Sequence, residues 1–289
     1  EIEHLVGMAW QDRIRPHLLR ATAAELKCNP RHVRRIVSSN EFRVRQRQCL
    51  FLGLSDGARI DMFRRANNFD LSHEQISQTH ELADDRVRKL LDKLQDDLKK
   101  IVPETPDDPK FRTIVLLDDF SASGRSYYMP DGDDVSGKIA RLHDVLHDER
   151  QKLSELVDLS RTDVHIVLYV ATESARQHLE EYSAKVWGDS VQSVTVDVVQ
   201  LLPKSLCLGR DDHGPLADVI DQYYDASIFD EHFEKGNTAD ARYGFADGGL
   251  PLVMHHNTPN NSISLLWSYE DTEVHGLFPR VRRHKSARQ

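Results

Sequence analysis

Three runs of apolar residues and one interrupted apolar segment alternate with segments of helical periodicity along most of the chain. The runs occupy residues 49–54, 113–117 and 164–170, and the interrupted segment, 191–202, is predicted to form a further strand. A continuous apolar run of this length is typical of a strand that is buried on both faces of a parallel sheet. Helices are predicted between the runs, over residues 60–66, 135–156 and 173–187. The alternation therefore predicts an α/β fold with a doubly wound, mostly parallel sheet and a helical N-terminal part.

The N-terminal part, residues 1–48, carries many arginines. Arg43, Arg45 and Arg47 recur at every second position, which predicts an extended segment with one basic face. The basic stretch from Arg31 to Arg47 suits contact with nucleic acid or with an acidic partner protein. A solvated face, or contact with the acidic half of the same chain, explains the same residues and is the favoured interpretation.

Residues 71–100 have the pattern of two helices. Ser72 and Gln75 are spaced as a capping box, and a second amphipathic helix is predicted to begin near Asp84. The spacing is similar to a helix-turn-helix. The second helix also carries several carboxylates, which would repel a phosphate backbone. A helical hairpin packed against the core is therefore favoured, and residues 103–109 form a linker to the next strand.

These patterns divide the chain into three parts. They are a helical basic region at 1–48, an α/β domain at 49–270 with a helical insertion at 71–100 and a second insertion at 203–245, and a basic tail at 271–289. Residues 1–100 carry a formal charge of +4 and residues 101–289 carry −13, which together give the net charge of −9. The asymmetry predicts different partners for the two parts and argues against broad nucleic-acid binding by the acidic one.

Composition restricts the compartment and the metal chemistry. Cys28, Cys49 and Cys207 are odd in number and lack C-x-x-C spacing, which predicts reduced thiols in the cytoplasm. No apolar run approaches the ~20 residues that a membrane span requires. His143 and His147 are spaced i, i+4 on a predicted helix, but the sequence places no third ligand near them. A solvated helix face is therefore predicted there instead of a zinc site.

The richest chemistry follows the second apolar run. Two adjacent carboxylates, Asp118 and Asp119, stand at the predicted end of the strand, and a short loop of small residues with one arginine comes next. Two like charges at one point are unfavourable unless a cation or a diol uses them. Small residues allow several backbone N–H groups to converge on one anion. An acidic pair beside a phosphate cradle suits a sugar phosphate.

These residues resemble the phosphoribosyl-pyrophosphate (PRPP) signature of type I phosphoribosyltransferases, in which a hydrophobic strand and two acidic residues precede a Thr/Ser-Gly-x-Thr/Ser loop. The resemblance implies that Asp118 and Asp119 bind the ribose and a substrate-bound Mg²⁺. It implies a phosphate loop of Ser121, Ser123, Gly124, Arg125 and Ser126. An upstream loop, residues 55–59, corresponds to the family's pyrophosphate loop, with Arg59 as its basic residue. Ala122 departs from the many purine-salvage members that carry an Asp there, whereas other members of the family have Ala.

A second polar loop follows residues 248–254, which are predicted to form a strand. His256-Asn257-Thr258-Pro259-Asn260 resembles the C-terminal His-Asn-x-Pro-Asn element of predicted phosphoribosyltransferase domains in prokaryotic conflict, or anti-phage defence, systems. Asn side chains offer both donors and acceptors, which suits a base edge, although the same residues also favour turns. The resemblance implies that His256 is the acid/base group and that Asn257, Asn260 and Asn261 read the base.

Two functions from different classes remain open. The first is an enzyme that binds PRPP or a nucleotide with Mg²⁺ and acts at the ribose anomeric carbon, within an antiviral defence system and with defence partner proteins. In that case the insertion at 203–245 corresponds to the hood that relatives place over the base. The second is a non-catalytic nucleotide sensor or adaptor that binds a partner protein or nucleic acid through Arg31–Arg47.

Overall fold

A computed structural model of the chain describes residues 2–79, 81–105, 109–132, 134–236, 238–255 and 257–280. His256 and residues 281–289 of the predicted basic tail lie outside the described residues. The chain divides into two compact units, with the boundary between Leu201 and Leu202. This boundary falls inside the α/β domain that the sequence predicts at 49–270, and the predicted domain limits stay a prediction.

Unit 1 is built on a five-stranded sheet with a separate hairpin. Its strands are β1 (Cys49–Gly53), β2 (Ile76–Ser77), β3 (Thr113–Ser121), β4 (Met129–Asp131), β5 (Asp134–Ser136), β6 (Asp163–Thr172) and β7 (Ser193–Leu202). The sheet order is β2-β1-β3-β6-β7, and β4 and β5 form the antiparallel hairpin. The β2–β1, β1–β3 and β3–β6 pairs are all parallel. The predicted α/β fold with a mostly parallel sheet is confirmed.

Helices cover both faces of this sheet. In unit 1 they are α1 (Ile2–Met8), α2 (Arg15–Glu25), α3 (Val33–Val37), α4 (Asn40–Arg47), α5 (Ile60–Ala66), α6 (Asp84–Ile101), α7 (Lys138–His147) and α8 (Glu173–Trp187). A π-helical segment, Ala9–Ile14, joins α1 to α2. The predicted helical N-terminal part is thus confirmed, and α5 and α8 have the predicted bounds. None of the helices in the described ranges is long and apolar enough to cross a membrane.

Alternate residues of each strand enter different apolar layers. Leu50, Leu116 and Ile166 pack in the layer that contains the buried faces of α6, α7 and α8. Phe51 and Val115 pack in the opposite layer, with side chains of the N-terminal helices and α5. This division follows from the two-residue period of a strand, in which successive side chains point to opposite faces. Two buried faces explain why β1 and β6 are apolar at nearly every position, whereas the half-buried β7 carries several polar residues.

The predicted extended arginine segment is wrong, because residues 40–47 form helix α4. Ser39 caps this helix by accepting a hydrogen bond from the Phe42 amide, at 3.2 Å. Arg45 then pairs with Glu25 at 2.9 Å, and the buried Arg47 pairs with Asp97 at 3.0 Å. The arginines are therefore distributed around a helix, and two of the three are engaged inside the unit.

The predicted helical hairpin at 71–100 is also wrong in its first half. The capping box of Ser72 and Gln75 forms, but it opens a single 3₁₀ turn that leads into the edge strand β2. The Gln75 amide donates to the carbonyls of Gln46 and Cys49, at 2.9 and 3.0 Å, and so fastens the segment beside β1. Only the second helix, α6, forms as predicted.

Two further segments differ from the prediction. The helix expected over 135–156 is divided into the hairpin strand β5, helix α7 and a 3₁₀ segment at Lys152–Leu156. The strand expected at 248–254 does not form, since that segment makes only isolated bridges, between Leu250 and Ser262 and between Met254 and Asn257.

Unit 2 is described by itself, from residue 202 to residue 280. It contains α9 (Pro215–Gln222), α10 (Glu231–Lys235) and α11 (Ser264–Trp267). Its own apolar cluster includes Phe233 stacked on Trp267, with ring centroids 5.4 Å apart. The predicted insertion at 203–245 and the polar loop of residues 257–261 both belong to this unit.

Candidate active site

The strand order creates a crevice at the carboxyl ends of β1 and β3. The chain leaves β1 toward β2 on one side, whereas it leaves β3 toward β6 on the other side. In an open parallel sheet, such a switch point is where ligands bind. Two loops follow these strand ends, residues 54–59 after β1 and residues 122–126 after β3.

Strand β3 is longer than the sequence predicts. Asp118 pairs with Leu168 and Ser121 pairs with Ala171, so the strand continues through both carboxylates instead of ending at Leu117. The parallel ladder with β6 supplies the reason, because β6 extends to Thr172 and offers partners for these residues. Strand alternation then sends Asp118 and Asp119 to opposite faces of the sheet.

Asp118 is a buried and fully engaged carboxylate, with 2 % of its surface exposed. Its Oδ1 accepts from the Ser55 hydroxyl and, at 3.0 Å, from the Asp119 amide. Its Oδ2 accepts from the Tyr127 hydroxyl at 2.9 Å and from the Lys138 ammonium at 3.5 Å. A buried charge is tolerated when it is paired and hydrogen-bonded in this way. Asp118 thereby ties the loop after β1 to the loop after β3.

Asp119 is only half-buried and lies against the loop that follows β1. Its Oδ1 accepts from the Phe120 amide at 2.8 Å. A Cβ atom on Gly57 would approach Oδ2 of Asp119 to 2.4 Å, so the carboxylate fits there only because residue 57 is glycine. Asp119 is therefore the more accessible carboxylate of the pair.

The loop from Ser55 to Arg59 is held rigidly. The Ser55 hydroxyl accepts from the Gly57 amide at 3.1 Å, and the Ala58 carbonyl accepts from the buried Tyr169 hydroxyl at 2.7 Å. Arg59 has φ +48° and ψ +45°, in the left-handed region that non-glycine residues seldom occupy. Strained backbone of this kind is concentrated at functional sites. The predicted pyrophosphate-loop residue Arg59 is thus placed beside the crevice, where α5 begins.

Two buried phenols line the same region. Burial, followed by the negative charge of Asp118, raises the pKa of Tyr127 well above its usual range. Burial, followed by the charges of Asp118 and Asp119, raises the pKa of Tyr169 in the same direction. Both phenols therefore stay protonated at neutral pH and act as neutral hydrogen-bond donors.

The loop after β3 is short, consists mainly of small residues and is held by hydrogen bonds at both ends. The Ser121 hydroxyl accepts from the Gly124 amide at 3.0 Å, and the Thr172 hydroxyl donates to the Ala122 carbonyl at 2.6 Å. Gly124 has φ +73°, and a Cβ there would meet the His178 ring at 2.7 Å. Ser123 and Arg125 are half-buried and Ser126 is exposed. The sequence-predicted phosphate loop thus forms a constrained turn that borders Asp118 and Asp119.

The second predicted polar loop lies in unit 2. Asn257 is exposed at a tight turn, in which its carbonyl accepts from the Met254 amide at 3.0 Å. Asn260 is half-buried, whereas Asn261 is buried and donates through its side-chain amide to the Phe245 carbonyl at 2.9 Å. The roles assigned to these residues and to His256 stay predictions.

Sequence reasoning gave no individual role to four residues of the crevice network. They are Ser55, Tyr127, Lys138 and Tyr169. Ser55 belongs to the predicted loop at residues 55–59 and Tyr127 directly follows the predicted phosphate loop, so their positions were a usable signal. Lys138 reaches Asp118 only because the β4–β5 hairpin returns the chain, and Lys138 and Ile139 donate their amides to the carbonyls of Ser126 and Tyr127. No local pattern indicates that return.

Comparison with known proteins identifies a family. A family model described as PRTase-CE matches residues 19–280, which is most of the chain and includes residues of both units. No curated protein and no solved structure matches the chain.

Proposed function

The chain belongs to the PRTase-CE family, and from that premise we propose that it binds PRPP or a nucleotide in the crevice between β1 and β3. The membership confirms the phosphoribosyltransferase-like resemblance that the sequence indicates, and it supports a phosphoribosyltransferase-type function. In our proposal the reaction takes place at the anomeric carbon of the ribose. The defence setting and defence partner proteins are part of the same proposal, as is the cytoplasm, which the three free cysteines favour.

One observation carries the proposal: the Asp118 carboxylate joins the two loops that a ribose 5-phosphate with a pyrophosphate would need. Ser55 donates to this carboxylate from one loop, and Tyr127 donates to it from the end of the other. Asp119 stands between the loops with part of its surface exposed. We therefore assign the ribose hydroxyls to Asp119 and a positioning role to Asp118.

The remaining groups bind the charged ends of the substrate in this proposal. Residues 123–126 hold the 5′-phosphate with backbone amides, and Arg59 meets the pyrophosphate. In transfer, the bond from the anomeric carbon to the pyrophosphate oxygen breaks and pyrophosphate leaves with the electron pair. A base nitrogen forms the new bond and loses its proton to water. Positioning and neutralisation of charge suffice for such an oxocarbenium-like reaction, so the absence of a carboxylate at Ala122 is compatible with it.

The carboxylates of the crevice fit a Mg²⁺ ion that is bound by one of them, Asp119. Mg²⁺ is usually bound through one or two carboxylates together with substrate phosphates. Both oxygens of Asp118 already accept hydrogen bonds from the chain, whereas Asp119 is half-buried and more open. Asp119 would therefore hold the ion together with substrate oxygens. When bound, the ion would neutralise the charge that develops on the leaving pyrophosphate.

A turnover assay tests the proposal. The purified chain is incubated with Mg²⁺ and either PRPP plus bases or nucleotides, and pyrophosphate, free base and ribose phosphate are measured. Asp119→Asn is expected to abolish product formation while the chain stays folded. Asp92→Asn, on the exposed face of α6, is the matched control and is expected to retain full turnover.

Two results would contradict the enzyme. Equal turnover in Asp119→Asn and Asp92→Asn would remove the crevice from the reaction. Calorimetry could instead show that PRPP or a nucleotide binds and that binding depends on Asp119, while no product forms under any condition. That result would support the non-catalytic sensor.

A further inference from the structure

Three metal-ligating side chains from three different elements converge in unit 1, away from the crevice. They are His17 on α2, His165 on β6 and Asp197 on β7, and their ligand atoms all lie within 4.8 Å of one another. Nε2 of His17 and Nδ1 of His165 are each 3.7 Å from Oδ2 of Asp197. Hydrogen bonds of this type span about 2.7–3.2 Å, so neither ring is hydrogen-bonded to the carboxylate.

Two of these atoms are buried without a hydrogen bond. Within the described part of the chain, Nδ1 of His165 and Oδ2 of Asp197 have no hydrogen-bond partner. His165 is 4 % exposed, so water reaches it poorly. Buried polar atoms are hydrogen-bonded in the large majority of cases, and each exception calls for a physical explanation. Buried atoms without a hydrogen bond that lie this close together are explained when they are ligands of a bound ion.

We propose that His17, His165 and Asp197 bind one divalent transition-metal ion of the Zn²⁺ class. Two imidazoles and a carboxylate are a donor set that Zn²⁺ takes, with a fourth position left for water. Metal–ligand distances of about 2.0–2.2 Å place tetrahedral ligand atoms roughly 3.4 Å apart. The two His–Asp separations of 3.7 Å therefore need to shorten by a few tenths of an ångström. The two imidazole nitrogens, which lie within 4.8 Å of each other, need to approach by up to about 1.4 Å. Mg²⁺ and Ca²⁺ prefer oxygen ligands, so the imidazoles select against them.

The site is separate from the phosphoribosyl crevice. His165 pairs with Val115 near the start of β6, whereas the phosphate loop leaves β3 at Ser121, which pairs with Ala171. Six residues of strand separate these two positions on β6, which corresponds to about 20 Å. The metal joins a helix of the N-terminal layer to two strands of the sheet. Its role is therefore to fix α2 on the sheet.

Metal titration of the full chain tests the site. The chain is treated with chelator, dialysed, and titrated with Zn²⁺ alone while the melting temperature and bound metal are measured. One Zn²⁺ per chain is expected, with a rise in melting temperature, because the ion binds the folded state. Titration with Co²⁺ is expected to give the visible absorption of a tetrahedral centre with nitrogen and oxygen ligands.

Substitution of the ligands separates this site from non-specific binding. Loss of a residue that only hydrogen-bonds to a metal ligand typically lowers metal affinity by ~10–100-fold. His17→Gln and Asp197→Asn remove ligands themselves, so a larger loss of Zn²⁺ affinity is expected. His73→Gln removes an exposed histidine outside the cluster and is expected to keep the affinity of the unmodified chain. Circular dichroism of each variant checks that it is folded. Equal Zn²⁺ affinity in His17→Gln and His73→Gln, or no change in the melting temperature with Zn²⁺, would overturn the proposal.

Discussion

Two clusters of ionisable side chains in unit 1 differ in how completely their polar atoms are paired. In the crevice, both oxygens of Asp118 accept hydrogen bonds from the protein, and the Lys138 ammonium supplies a nearby positive charge. In the second cluster, Nδ1 of His165 and Oδ2 of Asp197 lie 3.7 Å apart and are buried without a hydrogen bond to any described residue. A paired carboxylate holds protein parts together, whereas unpartnered buried atoms mark a place where a further group binds.

The comparison also separates the two carboxylates of the crevice. Asp118 has no capacity left for a ligand, because four donors already surround it. Asp119 is half-buried and touches the loop that follows β1 through the space beside Gly57. An acidic pair in the sequence therefore becomes one positioning group and one group for substrate. Predictions follow for both carboxylates and for the second cluster.

Asp118→Asn should have the largest effect on stability. The asparagine side chain carries no charge to pair with Lys138. Its NH₂ group must also point at groups that donate hydrogen bonds to Asp118 in the unmodified chain. Loss of one partner in a buried charged network typically lowers the free energy of unfolding by about 3 kcal/mol. Urea denaturation measures this loss. Asp119→Asn is the control and should lose less than about 1 kcal/mol, so equal losses in the two variants would contradict the division of roles.

Gly57→Ala should mainly affect turnover. A Cβ at this position would lie 2.4 Å from Oδ2 of Asp119, so the carboxylate must move. Displacement of a positioned group by about 1 Å can lower the rate on the order of 100-fold. The measurement is kcat with the substrate found in the turnover assay. Gly7→Ala is the control, since its Cβ would meet only Ala66, at an ordinary 3.7 Å, and turnover there should be unchanged.

Much of the sheet follows from local sequence because both of its faces are buried. The apolar runs of β1, β3 and β6, which are buried along most of their length, can be recognised from a few consecutive residues. The acidic pair and the small-residue loop are equally local. Their adjacency in sequence therefore predicts much of one side of the crevice.

The misplaced elements depend on contacts that no short window contains. Arg43, Arg45 and Arg47 lie on a helix despite their alternation in sequence. Phe42 is buried in the apolar layer that contains the N-terminal helices, and Arg47 pairs with Asp97. Gln75 holds β2 in place through carbonyls more than 25 residues earlier in the chain. The second ionisable cluster draws on residues 17, 165 and 197, and only the folded sheet brings them together.

Tyr127→Phe should change how stability depends on pH. Because the pKa of Tyr127 is raised in the folded chain, the phenol contributes stability below its unfolded pKa near 10, and this contribution is lost as pH rises further. Between pH 9 and pH 11 the unmodified chain should therefore lose about 1.4 kcal/mol more than Tyr127→Phe. Urea denaturation at both pH values measures the difference. Parallel losses in the two chains would show that Tyr127 already ionises near its usual pKa.

Asp197→Asn in the metal-free chain should have the smallest effect. Oδ2 of Asp197 accepts no hydrogen bond from the described residues, so the substitution removes none there and lessens an unfavourable burial of charge. We expect the free energy of unfolding to change by no more than about 0.5 kcal/mol, the range of neutral surface substitutions. With Zn²⁺ present, only the unmodified chain should gain stability. A large loss without metal would mean that Asp197 is a paired structural carboxylate like Asp118, and the contrast between the two clusters would then fail.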